Sequence, residues 1–195
     1  VVRLVGLDEL LQFHAHLAEQ VKDNLFHLHG GNVETYRRMI HHMDEGIGWL
    51  LQALRETGQL DHTLVVFTSD NGGERFSDNW PLVGKKMDLL EGGIRVPYVV
   101  RWPARVGPGG ATAQLAITMD WVATFLDAAG AKAHPYYPLD GVSLKPLLDD
   151  PTARHDRPAL TQVRRGDEKK AVMGHSIRTE RYRYTMWADG EQGEE

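Results

Sequence analysis

The sequence predicts an α/β fold that ends in a small antiparallel sheet, and three observations lead there. A long helical pattern over residues 36–54 is followed by a continuous β-branched and aromatic run, Thr63-Leu64-Val65-Val66-Phe67-Thr68-Ser69. That run stops at Asp70-Asn71-Gly72-Gly73, which puts polar residues just past the carboxyl end of a strand, where ligands bind in α/β sheets. Beyond about residue 151 the helical spacing gives way to consecutive short strand-like runs, the pattern of a separate antiparallel sheet.

The elements follow in order. Over residues 8–28, Leu10, Leu11, His14, Leu17, Val21 and Leu25 recur at helical spacing, with Asp8 as amino-terminal cap and Gly30-Gly31 as the stop. Over 36–54, Tyr36, Met39, Ile40, Met43, Ile47, Leu50, Leu51 and Leu54 make one apolar stripe. Gly58 stands where a left-handed terminating residue is expected. Both helices are amphipathic and call for a packing partner on one face. The 63–69 run reads as a strand buried on both faces, as in a parallel sheet. Residues 77–90 read as a loop. Residues 96–102 read as a second strand, with Pro97 marking its start or a sheet edge. Met119, Val122, Phe125, Leu126 and Ala129 restore helical spacing over 118–129, closed by Gly130, and 143–148 reads as a short helix. Residues 159–163, 171–178 and 181–187 read as strands, with a turn at Thr179-Glu180. Residues 1–150 are thus expected to be part of an α/β domain and 151–195 the start of a small antiparallel subdomain.

Composition narrows the function. At 42% hydrophobic and 25% charged over 195 residues, the chain can bury a core. The net charge of −5, with both signs mixed along the chain, argues against a nucleic-acid surface. No apolar run approaches the roughly 20 residues that span a bilayer, so no membrane partner is expected. With no cysteine, disulfides, zinc–thiolate sites and a cysteine nucleophile within this chain are excluded. Val1 is not a methionine and the last residues, 188–195, are a polar tail, so both ends read as those of a fragment.

Two motifs carry chemistry. In Asp70-Asn71, a carboxylate and an amide carbonyl are hard oxygen donors that suit calcium or magnesium rather than zinc or copper. The same residue types also close an ordinary polar turn, and two donors do not complete the 6–8 oxygens that calcium takes. The second motif is Gly84-Lys85-Lys86-Met87-Asp88-Leu89-Leu90-Glu91-Gly92-Gly93-Ile94-Arg95-Val96-Pro97. A lysine in a loop near a cation site can hold an anionic group as a point charge; a solvated surface lysine is the bland alternative.

Together, in this order and separation, the two motifs resemble the sulfatase family. The 63–73 run looks like the family's metal-binding strand end, and 86–97 looks like its lysine followed by Glu-Gly-Gly-Ile-Arg-Val-Pro. Residues 36–54, with Met43-Asp44 and Gly46-Ile47-Gly48, resemble the helix before that strand. Met119-Asp120 through Gly130, then Asp140-Gly141-Val142-Ser143-Leu144, resemble the segment after it. Residues 174–187 are similar to the small carboxyl-terminal sheet of iduronate-sulfatase-like members. The resemblance covers about 33–187.

What the resemblance implies is an alkaline-phosphatase-like α/β/α sandwich that hydrolyses sulfate esters with calcium and a formylglycine made from cysteine or serine. Asp70 and Asn71 would be two of four protein ligands to calcium. Lys86 would bind the sulfate group, with Lys85 as its rival and only the spacing before Glu91 favouring Lys86. Glu91, Gly92, Gly93 and Arg95 would be structural: a tight turn and a buried ion pair or loop brace. In the family the hydrated formylglycine attacks sulfur, displaces the alcohol and then expels sulfate, while calcium and lysine stabilise charge on the sulfate oxygens. The implied partner is a sulfated small molecule or a sulfated glycan, and the implied location is periplasmic, secreted or lysosomal.

The chain departs from the family pattern in several places. Neither Cys-x-Pro-x-Arg nor Ser-x-Pro-x-Arg occurs, and the two aspartate ligands near the family's amino terminus are absent. The family's histidine-proline-histidine stretch is missing, and His14 and His16, two apart in a helical pattern, do not share a face. Met87 stands where a glycine is common. The chain alone is therefore expected to be inactive. A phosphodiesterase or phosphonate hydrolase of the same fold would carry histidine in place of Asn71 and use two transition metals. A noncatalytic binding domain on that fold would lack a nucleophile motif upstream.

Overall fold

The structure is a computed structural model, and it describes residues 31–134, 136–166, 171–188 and 193–194. The helix expected over 8–28, with its histidines, lies outside the described residues. The chain divides into two compact units, Val1–Leu60 and Asp61–Glu195.

In the first unit, α1 (Val33–Glu56) opens on Asn32, whose side chain accepts the Thr35 N–H at 2.8 Å. It ends as the sequence predicts. Gly58 has φ +69°, its N–H reaches Arg55 O, and the Gln59 N–H reaches Leu54 O, which is the paired closure of a glycine-terminated helix. No residue of α1 is buried, and Met39, Ile40, Met43 and Leu50 are exposed. Of the stripe that periodicity marks as a packing face, Tyr36, Ile47, Leu51 and Leu54 are half-buried and the rest is exposed.

The second unit begins with β1 (Val65–Thr68), α2 (Glu91–Ile94) and β2 (Tyr98–Arg101). Here the structure corrects the sequence reading. β1 pairs with β2 antiparallel, Val66 opposite Val100 and Thr68 opposite Tyr98, and one face is covered rather than two. Val66, Val100 and Tyr98 pack on the core, whereas Phe67 and Val99 are exposed. A continuous β-branched run fits either arrangement, because propensity reports a pleated, packable surface and not the direction of the partner. β2 starts directly after Pro97, which has no N–H to give to the ladder.

The core forms where α3 (Asp120–Ala128) and α4 (Lys145–Asp149) meet the strands. Trp121, Leu144 and Leu147 are buried, with Tyr98 stacked on Trp121 at 5.1 Å and Trp121 on Phe125 at 5.6 Å. Asp120, 1% exposed, ties this region together. Its carboxylate accepts the N–H groups of Ile117 and Val142, each at 2.9 Å, and pairs with Arg157. A buried carboxylate is tolerated only when so satisfied. The Tyr98 hydroxyl donates to Ile117 O at 3.0 Å, and burial, aided by the Asp120 charge, pushes its phenol above the ordinary range.

The remaining strands are β3 (Ala159–Arg165), β4 (Val172–Arg178), β5 (Arg183–Ala188) and β6 (Gly193–Glu194), an antiparallel meander in that order. The three strands read from the sequence are present, and the two-residue β6 extends them. β4 turns its small residues inward: Gly174 and Ser176 are buried. A Cβ on Gly174 would lie 2.8 Å from the side chain of Leu89, itself 2% exposed. The meander therefore packs against the segment that follows the two lysines.

Candidate functional site

The turn after β1 is shaped by hydrogen bonds to its backbone. The Ser69 hydroxyl donates to Asn71 O at 2.8 Å and bends the chain as the strand ends. The Gly72 N–H then donates to Gly93 O at 2.8 Å, in α2. A Cβ at Gly72 would sit 1.8 Å from Gly92 O, so only glycine permits this approach. One residue on, Gly73 O accepts the Lys86 N–H at 3.0 Å. Asn79 joins the two loops from the side, its Nδ2 donating to Gly73 O and Gly84 O, each at 3.0 Å. The predicted donor turn and the predicted lysine loop are therefore one hydrogen-bonded unit.

Asp70 is exposed and Asn71 half-buried. Among the described residues neither side chain has a hydrogen-bond or ion-pair partner. A carboxylate and an amide carbonyl left uncommitted on a fixed turn fit a hard cation chemically. Among the described residues, no group of three or more His, Cys, Asp or Glu side chains is placed to hold a metal, so this turn alone does not complete a coordination shell. His41 and His42 both lie beside Glu45 on α1, at 3.6 and 3.5 Å.

Residues 85–88 make a tight turn. The Asp88 N–H returns to Lys85 O at 2.9 Å, and Asp88 Oδ2 accepts the Lys85 N–H at 2.9 Å. Met87 takes φ +74°, the left-handed value that glycine favours. The resemblance implies a glycine at that place, which would adopt this φ without strain. Both lysine side chains are exposed. The Lys85 N–H, then the Arg165 guanidinium, hold the Asp88 carboxyl below its ordinary 3.8. A carboxylate so depressed adds stability above that ordinary value and loses it as pH falls through the lower folded value.

The bracing residues come from the meander and were not found from the sequence. Arg165, on β3, lies over the Trp187 ring at 4.5 Å and pairs with Asp88 Oδ1 at 2.5 Å. Its Nε also donates to Met87 O at 3.0 Å. Glu91 collects Arg178 at 3.2 Å, Arg183, and the more exposed Arg95 at 3.7 Å. This is the loop brace the resemblance implied for Glu91 and Arg95, with two further arginines supplied from afar. Burial pushes the Arg183 pKa down. Beside the lysine loop lies a shallow depression of about 500 Å³, lined in part by Glu74, Arg75, Asn79, Trp80 and Lys85.

Residues 11–131 match the sulfatase family model, and 79–194 match the model for N-sulphoglucosamine sulphohydrolase, C-terminal. Mouse steryl-sulfatase is 38% identical over 143 residues, which is 68% of this chain and 22% of that protein. The crystal structure of Ps i-CgsB in complex with k-i-k-neocarrahexaose superposes with a TM-score of 0.64 at 29% identity, covering 83% of this chain and 37% of that one. A 2-O GAG sulfatase shares the fold with a TM-score of 0.65 at 22% identity, over 83% of this chain and 35% of that one. The chain thus spans about a fifth of the length of the curated relative and over a third of each solved structure.

Proposed function

The chain belongs to the sulfatase family and has its alkaline-phosphatase-like fold, and from that premise we propose that the complete protein hydrolyses sulfate esters. In this reading Asp70 and Asn71 hold a calcium ion and Lys86 binds the sulfate group. The observation that carries it is the bond from the Lys86 N–H to Gly73 O, which ties the base of the lysine to the turn that offers the two oxygen donors. A hard cation and an ammonium group would then flank one tetrahedral anion.

The residues of this chain act by binding and orientation. The Lys86 ammonium takes a sulfate oxygen as charge builds on it, an interaction worth more in a water-poor site than in solution. The Asp70 carboxylate and Asn71 amide oxygen are two of the cation's ligands, and bound calcium supplies Lewis-acid polarisation of the sulfate. The depression beside Lys85 offers room for the alcohol part of the substrate. Both a sulfated small molecule and a sulfated glycan fit the reading, given relatives named for a steryl substrate and for a complex with a neocarrahexaose. A formylglycine, encoded outside this sequence, supplies the nucleophile, so these 195 residues alone turn over no sulfate ester.

The test is Lys86→Ala in the complete protein. Turnover of an aryl sulfate is expected to fall about 10²- to 10³-fold, the usual loss for one stabilising donor. Unchanged turnover removes Lys86 from the site.

A further inference from the structure

We propose that Arg165, on β3, is a positioning residue for Lys86, holding the lysine-bearing turn in a conformation that its own sequence disfavours. The proposal rests on the sulfate-binding reading of Lys86. The turn runs from Lys85 to Asp88, closed by the Asp88 N–H on Lys85 O. Its two corner residues are Lys86 and Met87, and Met87 has φ +74° while Lys86 does not share that positive value. This is the φ pattern of a type II turn, whose second corner calls for glycine. A methionine there places Cβ against its own backbone and costs energy that glycine would not.

Such a turn persists only where its surroundings over-determine it, and Arg165 supplies that constraint. Its guanidinium donates to the carbonyl of Met87, the strained residue itself, through both Nε and Nη2. The same group pairs with Asp88 Oδ1 at 2.5 Å. Asp88 passes the constraint back through Oδ2 to the Lys85 N–H at 2.9 Å. The Trp187 face beneath the guanidinium fixes its plane. One side chain, 77 residues from Asp88 in sequence, therefore holds Met87 directly and Lys85 through Asp88, the residues on either side of Lys86. Lys86 is left at the corner with its N–H on Gly73 O and its ammonium exposed. The planar fork matters: a lysine at 165 brings a point charge but not the rigid Nε–Nη2 pair that grips the Met87 carbonyl from two donors.

The experiment uses the complete protein with three variants, Arg165→Met, Arg165→Lys and the double variant Arg165→Met with Met87→Gly. Arg165→Met keeps a side chain to cover Trp187 and removes the donors. Its kcat/KM for an aryl sulfate is expected to fall about tenfold to a hundredfold, the scale of lost charge-assisted hydrogen bonds. Amide exchange should speed up at Lys85, Lys86 and Asp88, the hydrogen-bonded N–H groups of the turn, while the β4–β5 amides keep their protection. Arg165→Lys should fall between wild type and Arg165→Met. Adding Met87→Gly should recover several-fold of the lost turnover, because glycine holds the turn unaided. A purely structural arginine gives another result: exchange accelerates throughout the meander and Met87→Gly rescues nothing. That outcome overturns the proposal, as does wild-type turnover in Arg165→Met when Lys86→Ala is inactive. Full turnover in Lys86→Ala instead strikes the proposed function, and the positioning role falls with it.

Discussion

Lys86 and Asp70 stand at the two ends of one short backbone path, through the Lys86 N–H and Gly73 O, yet their surroundings differ. The lysine loop is held by side chains from a distant sheet: Arg165 on Met87 and Asp88, Arg178 and Arg183 on Glu91, and β4 against Leu89. The turn bearing Asp70 and Asn71 is held locally, at its backbone carbonyls and N–H groups, by the Ser69 hydroxyl, the Asn79 amide and the neighbouring loop backbone. Its two candidate ligands have no partner among the described residues. The difference separates two duties. Charged groups that meet other charged groups fix the frame, and charged or polar groups left free on a fixed frame are available to a ligand.

The strongest way to break this picture is at the frame. Gly72→Ala puts a methyl 1.8 Å from a backbone oxygen, where no side-chain rotation relieves the clash. A loss of about 3 kcal/mol in unfolding free energy is expected, read as a lower urea midpoint. Gly48→Ala is the control, since nothing lies within 4 Å of its Cβ position in α1; it should stabilise by about 0.5–1 kcal/mol. Equal midpoints for the two variants would mean that the loops do not approach as described.

Next in size is Glu91→Gln, which keeps the shape and removes the charge that faces Arg178 and Arg183. Both arginines are largely covered, at 26% and 16% side-chain exposure, so an uncompensated charge remains. About 2 kcal/mol of destabilisation is expected from lost hydrogen bonds to charged groups. A Glu91→Gln protein as stable as wild type would reduce the brace to a surface ion pair, which contributes about 0–1 kcal/mol.

The sequence showed those parts of this frame that are local. α1 and α3 follow from apolar spacing, the ends of α1 and β2 from Gly58 and Pro97, and the meander from its short alternating runs. The donor turn and the lysine loop were legible as motifs because each is contiguous. The direction of the β1–β2 pairing was not, since Val65-Val66-Phe67 packs equally well beside a parallel or an antiparallel neighbour. The brace was not legible either. Arg165 meets Asp88 across 77 residues and Arg178 meets Glu91 across 87, and no local pattern distinguishes those arginines from the solvated Arg181. Met87 carried a partial signal, as a residue unlike the expected glycine, and its positive φ shows what the exchange asks of its neighbours.

The smallest expected effect on stability is at the free end of the path, and it is the sharpest on the assigned duties. Asp70→Ala removes a carboxylate that makes no hydrogen bond or ion pair among the described residues. In calcium-free buffer the complete protein should keep its unfolding free energy within about 0.5 kcal/mol, the ordinary range for such surface changes. With calcium at a hundredfold excess over its dissociation constant, wild type should gain about 2.7 kcal/mol by mass action, and Asp70→Ala should gain none at the same concentration. A variant unstable without calcium would make Asp70 part of the frame. One that keeps the full calcium gain would place the cation elsewhere. Only neutrality without the ion, together with loss of its effect, fits a turn whose backbone is built for stability and whose side chains are reserved for a ligand.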